Sequence, residues 1–577
     1  MNAKRFTYIF VSLLTGMLFV AVLFLFLTVQ STNARAETLT PVVAIRYVST
    51  TGNDTSNDCT NTNTPFRTVQ RAMTIAQEGD DIRVATGTYT GTMFAPNISM
   101  GVTATVVISK DIASLLGGYS PDFTTRDPAL YPSILNASDT PHGHVVVISS
   151  TNTLLDGFTL TGGTGACVGD CSVLVYLGGA IRVRGGSPTI SNNRIQGNFG
   201  YGGGGIAVTG KAASTITANT IYSNTTDGLG GGIFISSGSA IITGNMINSN
   251  VANIGGGIYV GYAEVTITNN LIAYNVGQDP SGGGGGGGIW ICCNSQGSIR
   301  ENELLHNIAT EGGAIVAKWD VVSVSIQQNT MAYNQTSGPG GAIRVGDSGV
   351  VNISYNDVYS NVAGWEGSIC VADIVEPATI VIDGNYVHNN QIMGGIDWLA
   401  GGIYLGENAV PVTLTNNVIV ENHNQGIKTL NANSFIINNS IVGNGVGVET
   451  FTWPVTQTVP YTTTLYNNII ASNQGCGFTA WNGINLVSDF NDVWDNVPNY
   501  CAPASPGQND ISVDPLFVNP VEGDYHIQFG SPAMNAGTNQ GAPPFDKDGT
   551  PRPQLGIVDM GAYEIIGFQI FLPLLLR

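Results

Sequence analysis

Asparagine pairs spaced five residues apart recur along this chain, and their rhythm limits the possible folds more than any other feature. The pairs are Asn193/Asn198, Asn219/Asn224, Asn245/Asn250, Asn270/Asn275, Asn302/Asn307 and Asn329/Asn334, then Asn356/Asn361, Asn385/Asn390, Asn417/Asn422, Asn439/Asn444, Asn468/Asn473 and Asn491/Asn496. Successive first asparagines lie 22 to 32 residues apart. An apolar residue stands three before every second Asn, from Ile195 and Ile221 through to Ile470 and Val493. A second marker keeps phase with the first: Gly-rich turns run into Ile181, Ile206, Ile233, Ile258, Ile289, Ile315, Ile343, Ile369 and Ile403.

Between the markers lie β-branched runs such as Thr215-Ile216-Thr217 and Val265-Thr266-Ile267-Thr268, which read as short strands. A unit of three such strands and three turns cannot bury its own apolar face. Stacked on like neighbours, it completes a continuous core. The prediction is therefore an all-β chain wound as a parallel β-helix, right-handed because parallel crossovers prefer that hand. Asn tolerates positive φ in tight turns, and its amide can bond the same amide one coil away. Asn193, Asn219, Asn245, Asn270, Asn302, Asn329 and Asn356 are thus expected to form a structural ladder. At about 4.8 Å per coil, the twelve repeats span roughly 58 Å. A β-propeller, at about 40 to 50 residues per blade, does not fit the period.

Composition narrows the function. Charged residues are only 10% of the chain and Gly contributes 75 of 577 residues, which excludes coiled coils and charged helical arrays. A net charge of -20 would repel phosphates and disfavours nucleic acid as a partner. Lys4 and Arg5 precede an apolar run from Phe6 to about Val29, followed by Ala34-Arg35-Ala36. Residues 1–36 read as a signal peptide or an uncleaved signal anchor, and either reading places the rest outside the cytoplasm, extracellular or at the cell surface. In that oxidising setting the eight cysteines read as structural thiols or bridges. Cys167 with Cys171 and Cys476 with Cys501 are the candidate pairs; Cys292 and Cys293 are adjacent, and Cys59 and Cys370 lack an evident partner.

The expected layout is a cap and first coils over 37–165, regular coils over 166–500, a closing segment over 501–565 and an apolar tail over 566–577. Pro65 to Gln77 reads as a short amphipathic cap helix, since a rod of stacked strands must have its ends covered. Tyr47 to Gly52, Pro65-Phe66-Arg67-Thr68-Val69-Gln70, Gly79-Asp80 and Gly87-Thr88-Tyr89 resemble the opening of secreted bacterial pectate-lyase-like right-handed β-helix proteins. Asp514-Pro515-Leu516-Phe517, Gly523-Asp524-Tyr525-His526 and Asp559-Met560-Gly561-Ala562-Tyr563-Glu564 are similar to the terminal region of proteins grouped as choice-of-anchor Q. Gly-Gly-Ala-Ile at 178, 312 and 340 also resembles repeats of polymorphic outer-membrane adhesins. These resemblances imply fold and export, but not activity, because this architecture hosts lyases, hydrolases, adhesins and spikes.

The residue after each marker Ile is expected to point away from the core, so Phe234, Tyr259 and Trp290 would form an aromatic row suited to sugar rings. The competing reading is a ring ladder covered by the Gly-rich insertion from Gln278 to Gly288. Four residues beyond the marker, Asp347, Asp373 and Glu407 are candidate carboxylates for Ca²⁺ or for catalysis, with Lys318 and Arg344 nearby; the competing reading is solvated turn acids. No paired-Asp signature of pectin hydrolases is present, His142 and His144 read as surface histidines, and Asp546-Lys547-Asp548-Gly549 reads as a turn. No cofactor is specified beyond Ca²⁺ as a possible ligand of those acids. The expected function is adhesion-like binding of a polysaccharide or cell-surface glycan through the lateral face, with membrane contact only through the N-terminal segment or the tail. The alternatives are a polysaccharide lyase or glycoside hydrolase using Asp347, Asp373 and Arg344, and a structural spacer.

Overall fold

The computed structural model describes residues 43–566 except 56, 92, 96–101, 140–142, 166–176, 279–283, 396–398, 454–460 and 482. The N-terminal apolar segment, His142, the Cys167/Cys171 pair and nearly all of the C-terminal tail lie outside the described residues.

Each coil contributes strands that pair only with their counterparts one coil away. Marker strand Ile206–Val208 is parallel to both Ile181–Val183 and Ile233–Ser236, with Ile206 in register with Ile181 and Ile233. The second strands stack likewise, Ala213–Thr217 beside Thr189–Ser191 and Ser239–Thr243. The twelve strands between the paired asparagines continue Gly87–Tyr89, Ser133–Asn136 and Phe158–Thr161 in one 15-stranded sheet. Each strand turns at least one aliphatic residue inward, so one core of Ile, Val and Leu runs through the coils. This is the coaxial stacking that the asparagine rhythm predicts.

Two asparagine ladders hold the corners. Asn193 Nδ2 donates to Asn219 Oδ1 at 3.1 Å, and Asn219 repeats the bond to Asn245. Asn245, Asn270, Asn302, Asn329 and Asn356 continue the series into the next coil at 2.9 to 3.0 Å. The backbone N–H of each Asn donates to the same oxygen, and its Nδ2 also reaches a carbonyl of the preceding coil, as Asn219 does to Ile190 O at 2.8 Å. A second ladder from Asn198 follows the same pattern. Each fully buried amide is therefore satisfied at both ends, as burial demands.

The cap helix occupies Val69–Ile75, with Thr68 as N-cap accepting from Arg71 N. It buries Val69, Ala72 and Met73 against the first coils. Cys476 and Cys501 form a disulfide, Cys292 and Cys293 form another, and Cys59 and Cys370 are free and buried.

The segment 501–565 departs from expectation. Only its first part closes the rod: Ile511 N donates to Asn491 O, and Asp510 Oδ1 accepts from Asn491 N at 2.8 Å, ending the first ladder. The chain then runs back along the side of the third-strand sheet. Tyr525 and Ala562 pack on Val418, Val420 and Val442, while Ile527, Ala533 and Met560 pack on Ile469 and Ala471. The reason lies in the outward residues of those coils. Val418, Val420, Val442 and Ile469 point outward there, an apolar surface that water would otherwise meet. Polar anchors fix the strap, with Asn438 Nδ2 donating to Asp559 O at 2.9 Å and Lys547 Nζ to Gly384 O. Asp546-Lys547-Asp548-Gly549 is a turn whose Asp546 Oδ1 accepts from Asp548 N and Thr550 N.

Candidate functional site on the lateral face

The residues after the marker isoleucines stand in one column: Arg182, Ala207, Phe234, Tyr259, Trp290, Val316, Arg344, Cys370 and Tyr404 pair in register from coil to coil. They leave the core as expected, but they do not reach solvent. Phe234, Tyr259 and Trp290 are 7%, 8% and 0% exposed, packed with Leu177, Ala207 and Val316. This corrects the exposed sugar-facing row. Phe234 and Tyr259 stack at 5.3 Å and 8°, and the Gly-rich turns fold over the rings. A Cβ on Gly286, whose φ is 76°, would stand 3.0 Å from Trp290 Cε3, and one on Gly284 would stand 3.2 Å from its Cη2. Only glycine lets the cover lie that close. Tyr259 Oη lies 3.2 Å from Cys292 Sγ, and burial pushes its phenol up to about 12.

At Arg344 the column changes character, and so does its cover. The turn position four before the marker carries Leu177, Leu229 and Ile254 in earlier coils but Glu311 later, with Glu366 three before Ile369. Together they line a cleft of about 440 Å³ with Thr310, Lys318, Pro339 and Trp365. Glu311 bridges two cations: Lys318 Nζ donates to it at 3.2 Å, and Arg344 Nε lies 3.7 Å from Oε2. Arg344 Nη2 donates to Asp373 Oδ2 at 2.6 Å, and Nη1 lies 3.2 Å from Cys370 Sγ. Cys370 Sγ in turn donates to Glu366 Oε2 at 3.6 Å.

Burial sets the protonation here. It pushes the Glu366 carboxyl above the ordinary range, against the nearby Arg344. It likewise raises the Cys370 thiol and the Tyr404 phenol, keeping both neutral. Burial works to lower Arg344, but the carboxylates of its ion-pair partners Asp373 and Glu311 outweigh it and hold the guanidinium above its usual value. Its Nε has no hydrogen-bond acceptor. Trp365, 51% exposed, stands at the mouth.

The structure thus brings Lys318, Arg344 and Asp373 together. Asp347, Asp373 and Glu407 do not form a shared carboxylate site. Each takes the left-handed conformation, with φ of 45°, 63° and 54°, Asp347 and Glu407 at a bend within the strands Ile343–Ser354 and Ile403–Thr415 and Asp373 just past Ile369–Ala372. Asp373 and Glu407 are exposed there and Asp347 half-buried, and of the three only Asp373 reaches the cleft. Among the described residues no group of three His, Cys, Asp or Glu side chains is placed to hold a metal ion. His144, expected at the surface, is buried with Nδ1 2.5 Å from Gly178 O, and burial lowers it to about 4.

Sequence reasoning missed Glu311, Trp365 and Glu366; their signal is an acid or indole in Gly-rich turns that carry Leu177, Leu229 and Ile254 in earlier coils. It also missed an outer ring stack, Tyr274–His306–Tyr333, with centroids 4.9 Å apart at each step and planes within 10°. These residues immediately precede the second Asn of three consecutive pairs. Rings stacked along the rod present edges outward, not faces.

Comparison with known proteins agrees with this architecture. Residues 319–513 match the family model described as a right handed beta helix region. The chain is a right-handed parallel β-helix. Within this β-helix, residues 50–289 match a model described as a protein of unknown function, DUF1565. Two solved structures align over 90% of the chain. One is the crystal structure of pectate lyase Pel9A, at 13% identity, 96% of its chain and a TM-score of 0.29. The other is the complex structure of XylC with xylose, at 9%, 98% and 0.28. No curated protein matches.

Proposed function

We propose that this β-helix is an exported, surface-associated rod that binds glycans through the cleft at Trp365. The observation that carries the reading is an exposed indole beside a pair of polar groups in that cleft. Trp365 lines it together with the Lys318 ammonium and the Glu311 carboxylate, which bond each other at 3.2 Å. A sugar hydroxyl there accepts from the first and donates to the second. Trp365 beside it offers an apolar face to the ring that bears the hydroxyl. The export reading rests on Lys4, Arg5 and the apolar run that follows.

The cations in the cleft are already engaged. Lys318 and Arg344 both face Glu311, and Arg344 also holds Asp373. This favours recognition over proton abstraction by a free base. Retention on immobilised polysaccharides tests the reading: the wild type should be held, and Trp365→Ala should elute earlier. Loss of retention on every matrix, or the appearance of unsaturated products, overturns it.

One observation favours a second reading, glycoside hydrolysis. Glu366 faces the cleft with its carboxyl held above the ordinary range by burial, the condition for a general acid. New reducing ends that vanish in Glu366→Gln would establish turnover; none from any tested polysaccharide removes it.

A further inference from the structure

Next to the cleft, three consecutive coils place apolar groups at one left-handed corner. Tyr262, Cys293 and Trp319 have φ of 54°, 60° and 64°. They are in register: Tyr262 N donates to Cys293 O at 2.8 Å and Cys293 N to Trp319 O at 2.6 Å. Tyr262 is 60% and Trp319 36% exposed. Between them Cys293 is tied to Cys292 by the disulfide, so the middle of the row is a covalent ring with no rotatable side chain of its own. Trp319 is propped from beneath, its centroid 4.8 Å from that of buried Trp290. Unlike Phe234 and Tyr259, these groups are not covered by a Gly-rich turn.

We propose that Tyr262, the Cys292–Cys293 disulfide and Trp319 form a stacking platform for a neutral pyranose, one ring removed from the cleft. The inference rests on the glycan-binding reading and names the sugar class. Lys318 joins the two places: its Nζ bonds Glu311 inside the cleft and lies 5.8 Å from the Trp319 ring. The rim decides the charge. Asp320, Asp347, Asp373 and Glu407 line the same corner and the coils that follow it, with Glu311 and Glu366 in the cleft, and they outnumber Lys318 and Arg344. A uronate would be repelled, whereas sugar hydroxyls donate to carboxylates without a charge penalty. A rigid apolar floor with a rim of acceptors fits a neutral ring that offers C–H groups to the floor and O–H groups to the rim.

The test titrates the full chain with cellohexaose, xylohexaose and hexagalacturonate by calorimetry. The wild type should bind a neutral hexaose more tightly than hexagalacturonate. Trp319→Ala and Tyr262→Ala should each weaken that binding about threefold to tenfold, Trp319→Phe should restore most of it, and Cys292→Ser/Cys293→Ser should weaken it with circular dichroism unchanged. Tighter binding of hexagalacturonate overturns the inference. So does neutral binding that survives both alanine variants while Trp365→Ala abolishes it, and in that case the cleft reading stands. No binding of any probe by the wild type overturns both.

Discussion

An aspartate placed in the middle of the asparagine ladder tests the electrostatics of the whole rod, and Asn307 is the position of choice. Its Oδ1 accepts from Asn275 N at 3.0 Å and Asn275 Nδ2 at 3.1 Å. Its Nδ2 donates to Ile272 O and Asn334 Oδ1, both at 2.9 Å. Asn307→Asp keeps the accepting oxygen but aims a second one at two acceptors in a site with no exposure. Burial raises such a carboxyl by up to about 3 to 5 units. The folded pKa then lies above the unfolded one, near 3.9. The acid form is present in both states at low pH, so stability there is retained; it is lost as pH rises towards the folded value. Between pH 4 and pH 7 the penalty grows by about 4 kcal/mol, at 1.36 kcal/mol per unit over about three units. At pH 4 the protonated side chain still donates once, and only about 1 kcal/mol for the missing bond remains. Asn307→Ala removes four bonds, two from Asn275 and one each from Ile272 and Asn334, costing about 4 kcal/mol at either pH. Because a solenoid opens locally, the readout is hydrogen exchange over residues 270–310 and 330–336 together with urea unfolding at pH 4.5 and 8. Equal destabilisation of Asn307→Asp at both pH values, or none at pH 8, would refute the reasoning.

Other outcomes follow from single residues. Burial pushes Asp492 up to about 7; its folded pKa exceeds the unfolded 3.8, so stability is full below about pH 4 and is lost as pH rises through 7. Asp492→Asn should therefore raise the urea midpoint at pH 8 and change it little at pH 4. Trp290→Ala should cost about 3 to 5 kcal/mol through loss of a buried indole, visible as a lower Tm. A truncation after Ile511 should expose Val418, Val442 and Ile469, which dye binding and light scattering would detect as aggregation.

The period of the asparagines and isoleucines was enough to read the strands, the core and the ladder, because each depends on residues that recur at the same place in every coil. The outward column was also legible: Phe234, Tyr259 and Trp290 do leave the core in register. What the period left open was the cover, and of the two readings the ladder covered by the glycines at 284–288 is the one that holds. Whether an outward ring meets water depends on the turn that precedes the strand, and Gly286 lies over Trp290 through an absence of side chain rather than a motif. Of the two readings of the acids at 347, 373 and 407, the structure holds the turn acids: the left-handed corner directs them outward rather than onto one shared site. The strap over 514–565 was misjudged for the opposite reason: its clue was the run of valine and isoleucine at third-strand outward positions, which appears only after the strands are aligned.

The asparagine ladder itself shows how position in a column, more than residue type, decides what a side chain can do. Every internal rung must accept from one neighbour and donate to the other, and only an amide does both. The last rung only accepts. There the chain has Asp510, whose Oδ1 takes both bonds of Asn491 while Oδ2 accepts from Tyr500 Oη at 2.8 Å and Gly507 N at 2.7 Å. A carboxylate that would be destructive one coil earlier is satisfied at the end, because the next coil that would supply opposing acceptors is missing. The same logic governs the lateral face. Under Leu229 and Ile254 the column is aromatic and closed; where the cover offers Glu311 and Glu366 it becomes Arg344 and Cys370, and the cleft opens. The cleft lies where the turn column changes at Glu311 and the strand column changes one coil later, from Val316 to Arg344, without any change in the backbone that carries them.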